Sequence, residues 1–414
     1  MSLKVAIIGA GSTYTPELIE GIISRNATLP IGEIALMDID SRKLNIVGAL
    51  CERMVNHSKL GCRILITEDY DTALENADFV FVQIRVGRLP ARVLDEKIPL
   101  KYNLIGQETT GIGGFFKALR TIPVLLDIGE RMKRLCPNAW MINFTNPSGI
   151  CAQALLDHTD IKMMGLCNAP IGMMSSPAKK LGLEGAEVDY VGLNHLSFVT
   201  SIRKDGKEYF DADKLAGEFG FSKDIIRTVE SIPSYYLRYF LYPRESLDKL
   251  LKAEQTRGEE CMVIEEELLT MYSDAGLYVK PEQLSQRGGA MYSEVAISLA
   301  ESIHTDNGAI HVVNTYNKGA IPYMADDDVV EVSAVVGPGG PKTIPPKVAG
   351  GMYIQGIMQA VKAYERLTVQ AAVEGSRDAA IRALIVNPLI GDYDAAAACF
   401  DEMLEAHKAY LPQF

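Results

Sequence analysis

Residues 4–40 constrain the fold more than any other stretch of the chain. Lys4-Val-Ala-Ile-Ile runs into Gly9-Ala-Gly11-Ser12-Thr13-Tyr14, and Ile34-Ala-Leu-Met then ends in Asp38-Ile-Asp40. An apolar run, a glycine turn, a helix and a second apolar run closing on acid read as a βαβ unit of a parallel sheet. Glycines at such a turn let the backbone approach a pyrophosphate. The following helix N-terminus offers N–H donors and the positive end of its dipole. A carboxylate at the end of the next strand accepts from a ribose 2′-hydroxyl and repels the extra phosphate of NADP. The candidate dinucleotide-binding residues are therefore Gly9, Gly11, Ser12 and Thr13, with Asp38 or Asp40 at the ribose. Tyr14 stands where the third glycine of G-x-G-x-x-G belongs, so the assignment rests on the strand–turn–helix context.

A chain of 414 residues is long for one core, so two domains, or one domain with a large insertion, are expected. The formal net charge is −12 and the pI about 5.1, which disfavours nucleic acid and anionic membrane as partners. Any anionic ligand must then be captured by a local cluster of Arg, Asn or backbone N–H groups. Seven scattered cysteines argue against a disulfide framework and for a reducing compartment. Val5-Ala-Ile-Ile leads straight into the glycine turn, without the basic-then-apolar order of a signal peptide. No apolar run approaches a membrane span. The expected location is the cytoplasm.

Strands are expected at 4–8, 34–38, 64–66, 79–84, 140–144 and 163–166, with helices at 16–25, 41–56, 71–76 and 116–134. That alternation predicts an α/β fold, an N-terminal Rossmann-like doubly wound parallel sheet over residues 1–168. Residues 169–414 read as an α+β domain for substrate, metal and oligomerisation. There, 188–207 reads as a β-hairpin with an Asp205-Gly206 turn. Residues 222–272, 287–304 and 353–374 are helical in pattern, strands are expected at 309–314 and 329–335, and 337–346 reads as a Pro/Gly-rich loop. Polar residues collect at the expected carboxyl ends of the N-terminal strands: Gly9, Asp38, Arg85, Asn143-Phe-Thr-Asn146-Pro147 and Cys167-Asn168. Ligands of open α/β sheets bind outside those ends.

Four constellations could carry chemistry. Cys167 after an apolar strand and His195 in Gly192-Leu-Asn194-His195 could form a metal site or a nucleophile–base pair. Two ligands are too few for a structural zinc but suit an open site completed by substrate oxygens and water. Gly106-Gln107-Glu108-Thr109-Thr110-Gly111-Ile-Gly113-Gly114 reads as a flexible loop or as a lid carrying Glu108 to a substrate. Tyr235-Tyr236-Leu-Arg238-Tyr239-Phe-Leu-Tyr242 has the composition of core or interface, yet a buried Tyr with a depressed pKa can act as a base. Arg85, Arg257 and Arg287 are candidate anion clamps.

Together these segments resemble glycoside hydrolase family four, the NAD- and metal-dependent glycosidases. The resemblance spans nearly the whole chain. It rests on Gly9-Ala-Gly-Ser12, Met37-Asp-Ile-Asp40, Gln83-Ile-Arg-Val-Gly87, Ile105-Gly-Gln-Glu-Thr-Thr-Gly111, Asn143-Phe-Thr-Asn-Pro147, Cys167-Asn168, Gly192-Leu-Asn-His195 and Arg287-Gly-Gly-Ala-Met-Tyr292. Cys167-Asn168 together with Gln83-Ile-Arg-Val-Gly87 is similar to the 6-phospho-β-glucosidase branch, whose substrates include cellobiose 6-phosphate. The chain departs from the family loop at Ile112 and at Phe115-Phe116, which bears on the lid.

The resemblance implies a redox route to hydrolysis, an exception to the two-carboxylate scheme of most glycosidases. In that route NAD⁺ takes hydride from C3 of the 6-phosphosugar. A divalent ion, typically Mn²⁺, is held by Cys167 and His195 and acidifies the sugar. Tyr236, with Tyr235 as its rival, removes the C2 proton, and the C1 group is eliminated. Water then adds, C2 is reprotonated and the hydride returns. By the same resemblance Arg85, Asn146 and Arg257 meet the phosphate, with Arg287 a further candidate. Asn146 also lies at the cofactor, Asn168 and Asn194 bind sugar hydroxyls or order the metal site, and Glu108 orients the substrate. Thiolate ligation implies inactivation by air and protection by reductant. The family associates as homodimers or homotetramers. Two other readings stay open: an NAD-dependent 2-hydroxyacid dehydrogenase, which releases NADH, and a non-catalytic NAD-binding sensor.

Overall fold

The computed structural model describes residues 2–287 and 292–414. Its first six strands are β1 (Leu3–Ile8), β2 (Ile31–Met37), β3 (Arg63–Thr67), β4 (Phe79–Val82), β5 (Trp140–Asn143) and β6 (Lys162–Gly165). They pair in parallel in the order β3-β2-β1-β4-β5-β6. This is the expected doubly wound sheet, and the order reverses between β1 and β4, where ligands of such sheets bind. Val5, Ala6, Ile7 and Ile8 are wholly buried. A strand covered on both faces needs no polar alternation, which accounts for its unbroken apolar run. Each such Val or Ile side chain contributes about 1.5–3 kcal/mol by leaving water.

The second half adds β7 (Glu187–Leu193), β8 (Leu196–Lys204), β9 (Lys207–Glu208), β10 (Ile232–Pro233), β11 (Ile310–Tyr316), β12 (Val329–Gly337) and β13 (Gly340–Thr343). β11 joins β6 antiparallel, and the sheet continues through β12, β7, β8 and β10. One 13-stranded sheet thus crosses residues 168 and 169. The helix layers cross too. Leu268, Leu269 and Tyr272 of Arg257–Tyr272, and Ala296, Ile297, Leu299 and Ala300 of Tyr292–Thr305, share a core with Val5, Ile7, Ile34 and Leu36. Gly111–Leu135 and Ser148–His158 cover the other face, and the first half of Gly111–Leu135 packs against Met352–Glu374, Arg377–Val386 and Tyr393–His407.

The structure departs from the sequence reading at several places. The β7–β8 hairpin closes on Asn194-His195, with Leu193 opposite Leu196 and His195 at φ +64°. Asp205-Gly206, with φ +51° and +75°, makes the next turn, from β8 to β9. The stretch 222–272 is broken into Lys223–Thr228, Arg238–Leu241, Pro243–Lys252 and Arg257–Tyr272, with β10 between the first two. Pro233 and Pro243 lack the N–H that a continuous helix needs. The segment 337–346 contains β13, which pairs back on β12. The helix expected at 116 begins at Gly111. A Cβ on Gly113 would lie 2.4 Å from the Gln107 carbonyl oxygen, and one on Gly114 2.4 Å from the Thr109 carbonyl carbon. Those glycines serve close packing of the preceding loop. In the segment Arg287-Gly-Gly-Ala-Met-Tyr292, Gly288 to Met291 lie outside the described residues.

Candidate active site

The chain leaves β1 through Gly9 at φ +88°, a conformation that side chains resist, and a Cβ there would lie 2.9 Å from the Gln83 backbone beyond β4. Gly11 N donates to Asp38 Oδ2 at 2.8 Å, and Asp40 N donates to Asp38 Oδ1 at 2.9 Å. Asp38 therefore clamps the glycine turn to the end of β2. Asp40 caps helix Ser41–Ser58 by accepting from Lys43 N at 3.2 Å, and pairs with Arg88 at 3.1 Å. Gln83 Nε2 donates to the Gly9 carbonyl at 3.3 Å and to Thr15 Oγ1 at 2.8 Å. Ser12 Oγ accepts from Tyr14 N, and the buried Thr13 carbonyl accepts from the Tyr272 hydroxyl at 2.8 Å. The Tyr14 ring lies 5.6 Å from the Arg287 guanidinium carbon. A cradle that a Cβ would fill, together with unpartnered buried oxygens on Thr13, Gln83 and Asn146, fits a dinucleotide.

Cys167 follows β6, and His195 sits in the turn between β7 and β8. Both are buried, with Sγ 3.6 Å from Nε2. Burial pushes the Cys167 thiol up to about 12, and the Glu331 charge adds to the rise. Burial lowers His195 to about 3, so its imidazole is neutral, which is the ligating form. His195 Nδ1 is buried without a partner. Among the described residues no third His, Cys, Asp or Glu joins the pair to close a cage. A soft thiolate beside a neutral imidazole fits a divalent transition metal with positions left open.

The Tyr236 ring lies 4.0 Å from the His195 ring, and the Tyr235 ring 4.1 Å from that of Tyr236. Ser234 N donates to the Ser197 carbonyl at 2.9 Å and Leu237 is fully buried, which ties this turn to β8. Tyr236 is thus the neighbour of the Cys–His pair, while Tyr235 is 42% exposed. Burial holds the Tyr236 hydroxyl well above the usual tyrosine range, with the Tyr235 charge next in importance. That is opposite to the depressed value expected of a base; a bound divalent ion would act in the lowering direction.

Glu108 is the hub of a cation cluster. Its Oε1 meets Arg85 at 2.6 Å and Lys117 at 2.5 Å, and its Oε2 meets Arg92 at 2.6 Å. Burial alone would raise its carboxyl, but the three cations outweigh burial and hold it well below the usual range. Burial and Arg85 lower Lys117 to about 8. Arg92 also pairs with Glu96 at 2.8 Å, so three cations face two carboxylates and an excess of positive charge remains. The loop is locked: Gln107 Oε1 accepts from Thr109 N at 2.6 Å and Thr110 N at 3.0 Å. Ile112, Phe115 and Phe116 are fully buried, with Phe116 5.4 Å from Phe400, so these departures from the family pattern face the core.

Arg257 does not join this cluster. It is half exposed, paired with Glu260 and the Gln286 carbonyl, each at 2.8 Å. Arg287 donates to the Cys261 carbonyl at 3.2 Å and lies 3.6 Å from Glu265. Asn146 Nδ2 donates to the Phe144 carbonyl, and Asn168 precedes helix Ala169–Lys180. Asn194 Oδ1 accepts from Ser148 N at 3.0 Å and Gly149 N at 3.4 Å, and its Nδ2 donates to Glu331 at 3.1 Å. These bonds tie the Asn194 side chain to the start of helix Ser148–His158 and to β12. The sequence reading missed Arg92, Lys117 and Glu331. Lone charges inside apolar runs, Phe115-Phe-Lys117-Ala-Leu and Val329-Val-Glu331-Val, were the available signals.

The profile of the Family 4 glycosyl hydrolases matches residues 4–183, and that of the Family 4 glycosyl hydrolase C-terminal domain matches residues 190–390. The chain belongs to glycoside hydrolase family 4. Within that family it is 44% identical over 436 residues to the "Probable 6-phospho-beta-glucosidase" of Bacillus subtilis, covering 100% of this chain and 98% of that one. It is 38% identical to the 6-phospho-beta-glucosidase of Escherichia coli, covering 100% and 97%. Its fold matches the 6-phospho-beta glucosidase of Thermotoga maritima solved with NAD and glucose-6-phosphate, at a TM-score of 0.91, 37% identity and 99% of both chains. The same Thermotoga enzyme has been solved with manganese, NAD+ and glucose-6-phosphate. The family resemblance drawn from the motifs is borne out, as is the Rossmann-like sheet followed by a C-terminal α+β region.

Proposed function

We propose that this family 4 enzyme hydrolyses 6-phospho-β-glucosides such as cellobiose 6-phosphate, with NAD and a divalent metal, most suitably Mn²⁺, as cofactors. The observation that carries the reading is the meeting of Cys167, His195 and Tyr236 beyond the carboxyl end of β6. The relatives named 6-phospho-beta-glucosidase, one of them solved with NAD, manganese and glucose-6-phosphate, support it. When bound, NAD supplies a reversible acceptor for the C3 hydride, and the metal supplies the charge that acidifies the sugar's hydroxyl and C2 proton.

The chain's own residues do the rest. Gly9, Gly11, Ser12 and Thr13 admit the pyrophosphate, with Asn146 alongside. Asp38 keeps that turn in place and Asp40 faces the ribose. Cys167 as thiolate and His195 as neutral imidazole hold the metal, and Asn168 orders the sugar beside them. Tyr236 takes the C2 proton and later returns it. Glu108 remains an anion and orients Arg85 and Lys117. Arg85, Asn146 and Lys117 meet the phosphate, and Arg257 reaches it by leaving its pairing with Glu260.

The phosphate of the substrate and seven free thiols favour a cytoplasmic enzyme. Among the described residues no helix is long and apolar enough to cross a membrane. A homodimer or homotetramer is the expected assembly, with no nucleic-acid or membrane partner. A chromogenic 6-phospho-β-glucoside with NAD⁺ and Mn²⁺ tests the reading: aglycone is released without net NADH. Stoichiometric NADH without aglycone would establish a dehydrogenase instead, and NAD binding with neither product a sensor.

A further inference from the structure

Glu331 is a fully buried carboxylate on β12 that the chemistry above does not use. It lies opposite Asn314 on β11 and Gly192 on β7, and Asn314 lies opposite Gly165 on β6. Gly165 stands two residues before Cys167, and Gly192 three before His195. Four adjacent strands thus place Glu331 between the two strand ends that carry the candidate metal ligands. Its Oε1 accepts from Asn194 Nδ2 at 3.1 Å and from Asn314 Nδ2 at 3.2 Å, and its Oε2 from the Tyr190 hydroxyl at 2.5 Å. Asn314 Nδ2 also reaches the Gly165 carbonyl at 3.4 Å. Asn194, next to His195, is pinned in turn by the Ser148 and Gly149 amides. Gly165 leaves room for this crossing, since a Cβ there would lie 3.0 Å from Asn314 Cβ and 2.7 Å from Ser148 Oγ.

We infer that Glu331 is a positioning residue that fixes the spacing between Cys167 and His195, and with it the affinity for a divalent metal. The inference rests on the assignment of those two residues as metal ligands. A carboxylate in an apolar sheet is costly unless its oxygens are satisfied, and a Val or Leu would fill the same volume without that cost. What an apolar residue cannot do is accept two amide donors from different strands on one oxygen. That bifurcated bond couples the β6 end to the β7–β8 turn across the junction of the two halves of the chain. The partners that orient metal ligands typically change affinity ~10–100-fold when lost.

The test is Mn²⁺ titration of the metal-free full-length protein, followed by electron paramagnetic resonance, with NAD affinity measured in parallel. Glu331→Leu fills a similar volume but cannot accept either amide, and should weaken Mn²⁺ binding at least ~10-fold, with NAD affinity within about twofold. Asn314→Ser cuts only the link to β6 and should weaken Mn²⁺ in the same direction, which keeps the inference testable if Glu331→Leu does not fold. Tyr190→Phe removes the third donor but neither link, and should leave Mn²⁺ affinity within about twofold. Cys167→Ser must abolish Mn²⁺ binding; if it does not, the metal assignment itself fails. If Cys167→Ser abolishes binding while folded Asn314→Ser and Glu331→Leu bind normally, Glu331 sets no spacing. Equal weakening by Tyr190→Phe would also overturn the inference, because it would reflect loss of core order.

Discussion

Tyr236 shows why position and proton affinity must be weighed together. It packs on His195, yet burial keeps its hydroxyl protonated in the chain alone. Tyr236→Phe should lower kcat by ~10²–10⁴-fold, the usual contribution of a general base, while Tyr235→Phe should cost far less. A larger loss for Tyr235→Phe in the same steady-state assay would exchange their roles. Burial and Arg85 lower Lys117 to about 8, so the cation proposed to meet the phosphate is lost as pH rises through 8. KM should therefore rise above pH 8, and Lys117→Arg, which cannot deprotonate there, should flatten the rise. A KM profile identical in both proteins would remove Lys117 from the phosphate site. That Cys167 and His195 meet was legible because each stands two or three residues beyond a strand-end glycine and few other residue types ligate metal. Lys117 and Arg92 were not: a Lys within an apolar helix reads as a solvated face until the partner Glu108 is brought to it from the preceding loop.

The elements differ in how far the sequence announces them. The parallel strands were legible because burial on both faces writes continuous apolar runs. The β7–β8 turn was misplaced because Asp205-Gly206 is the stronger local turn signal, while Asn194-His195 turns only with tertiary support. That support is the hydrogen bonding of Asn194 to the Ser148 and Gly149 amides and to Glu331. The helix start at Gly111 was missed because Gly113 and Gly114 read as flexibility, whereas the Gln107–Thr110 backbone lies where their side chains would be. The glycine turn yields a prediction of its own. Gly9→Ala introduces a side chain at φ +88° and 2.9 Å from the Gln83 backbone. The left-handed conformation alone costs about 1–2 kcal/mol. NAD affinity should fall by more than tenfold while Mn²⁺ affinity is retained; unchanged NAD binding by calorimetry would place the nucleotide elsewhere.

At the scale of the whole molecule, the strand rhythm foretold two regions but not that one sheet and shared helix layers would join them. Antiparallel pairing of β6 with β11 connects residues about 150 positions apart, which no local pattern encodes. The single tryptophan, Trp140 on β5, reports on that union, since a Cβ on Gly340 of β13 would lie 2.7 Å from its ring. Urea unfolding followed by Trp140 fluorescence and by far-ultraviolet circular dichroism should therefore give coincident transitions. An early fluorescence transition would mean that the halves separate before they unfold. The acidic chain concentrates positive charge beside Glu108 and places thiol, imidazole and phenol together where a nucleotide fold would otherwise serve a dehydrogenase. Tyr236 is proposed to remove the C2 proton and to return one drawn from solvent. Hydrolysis of a 6-phospho-β-glucoside in D₂O, with the product read by nuclear magnetic resonance, should therefore give deuterium at C2 of the released glucose 6-phosphate and no net NADH; product with only protium at C2 would rule the step out.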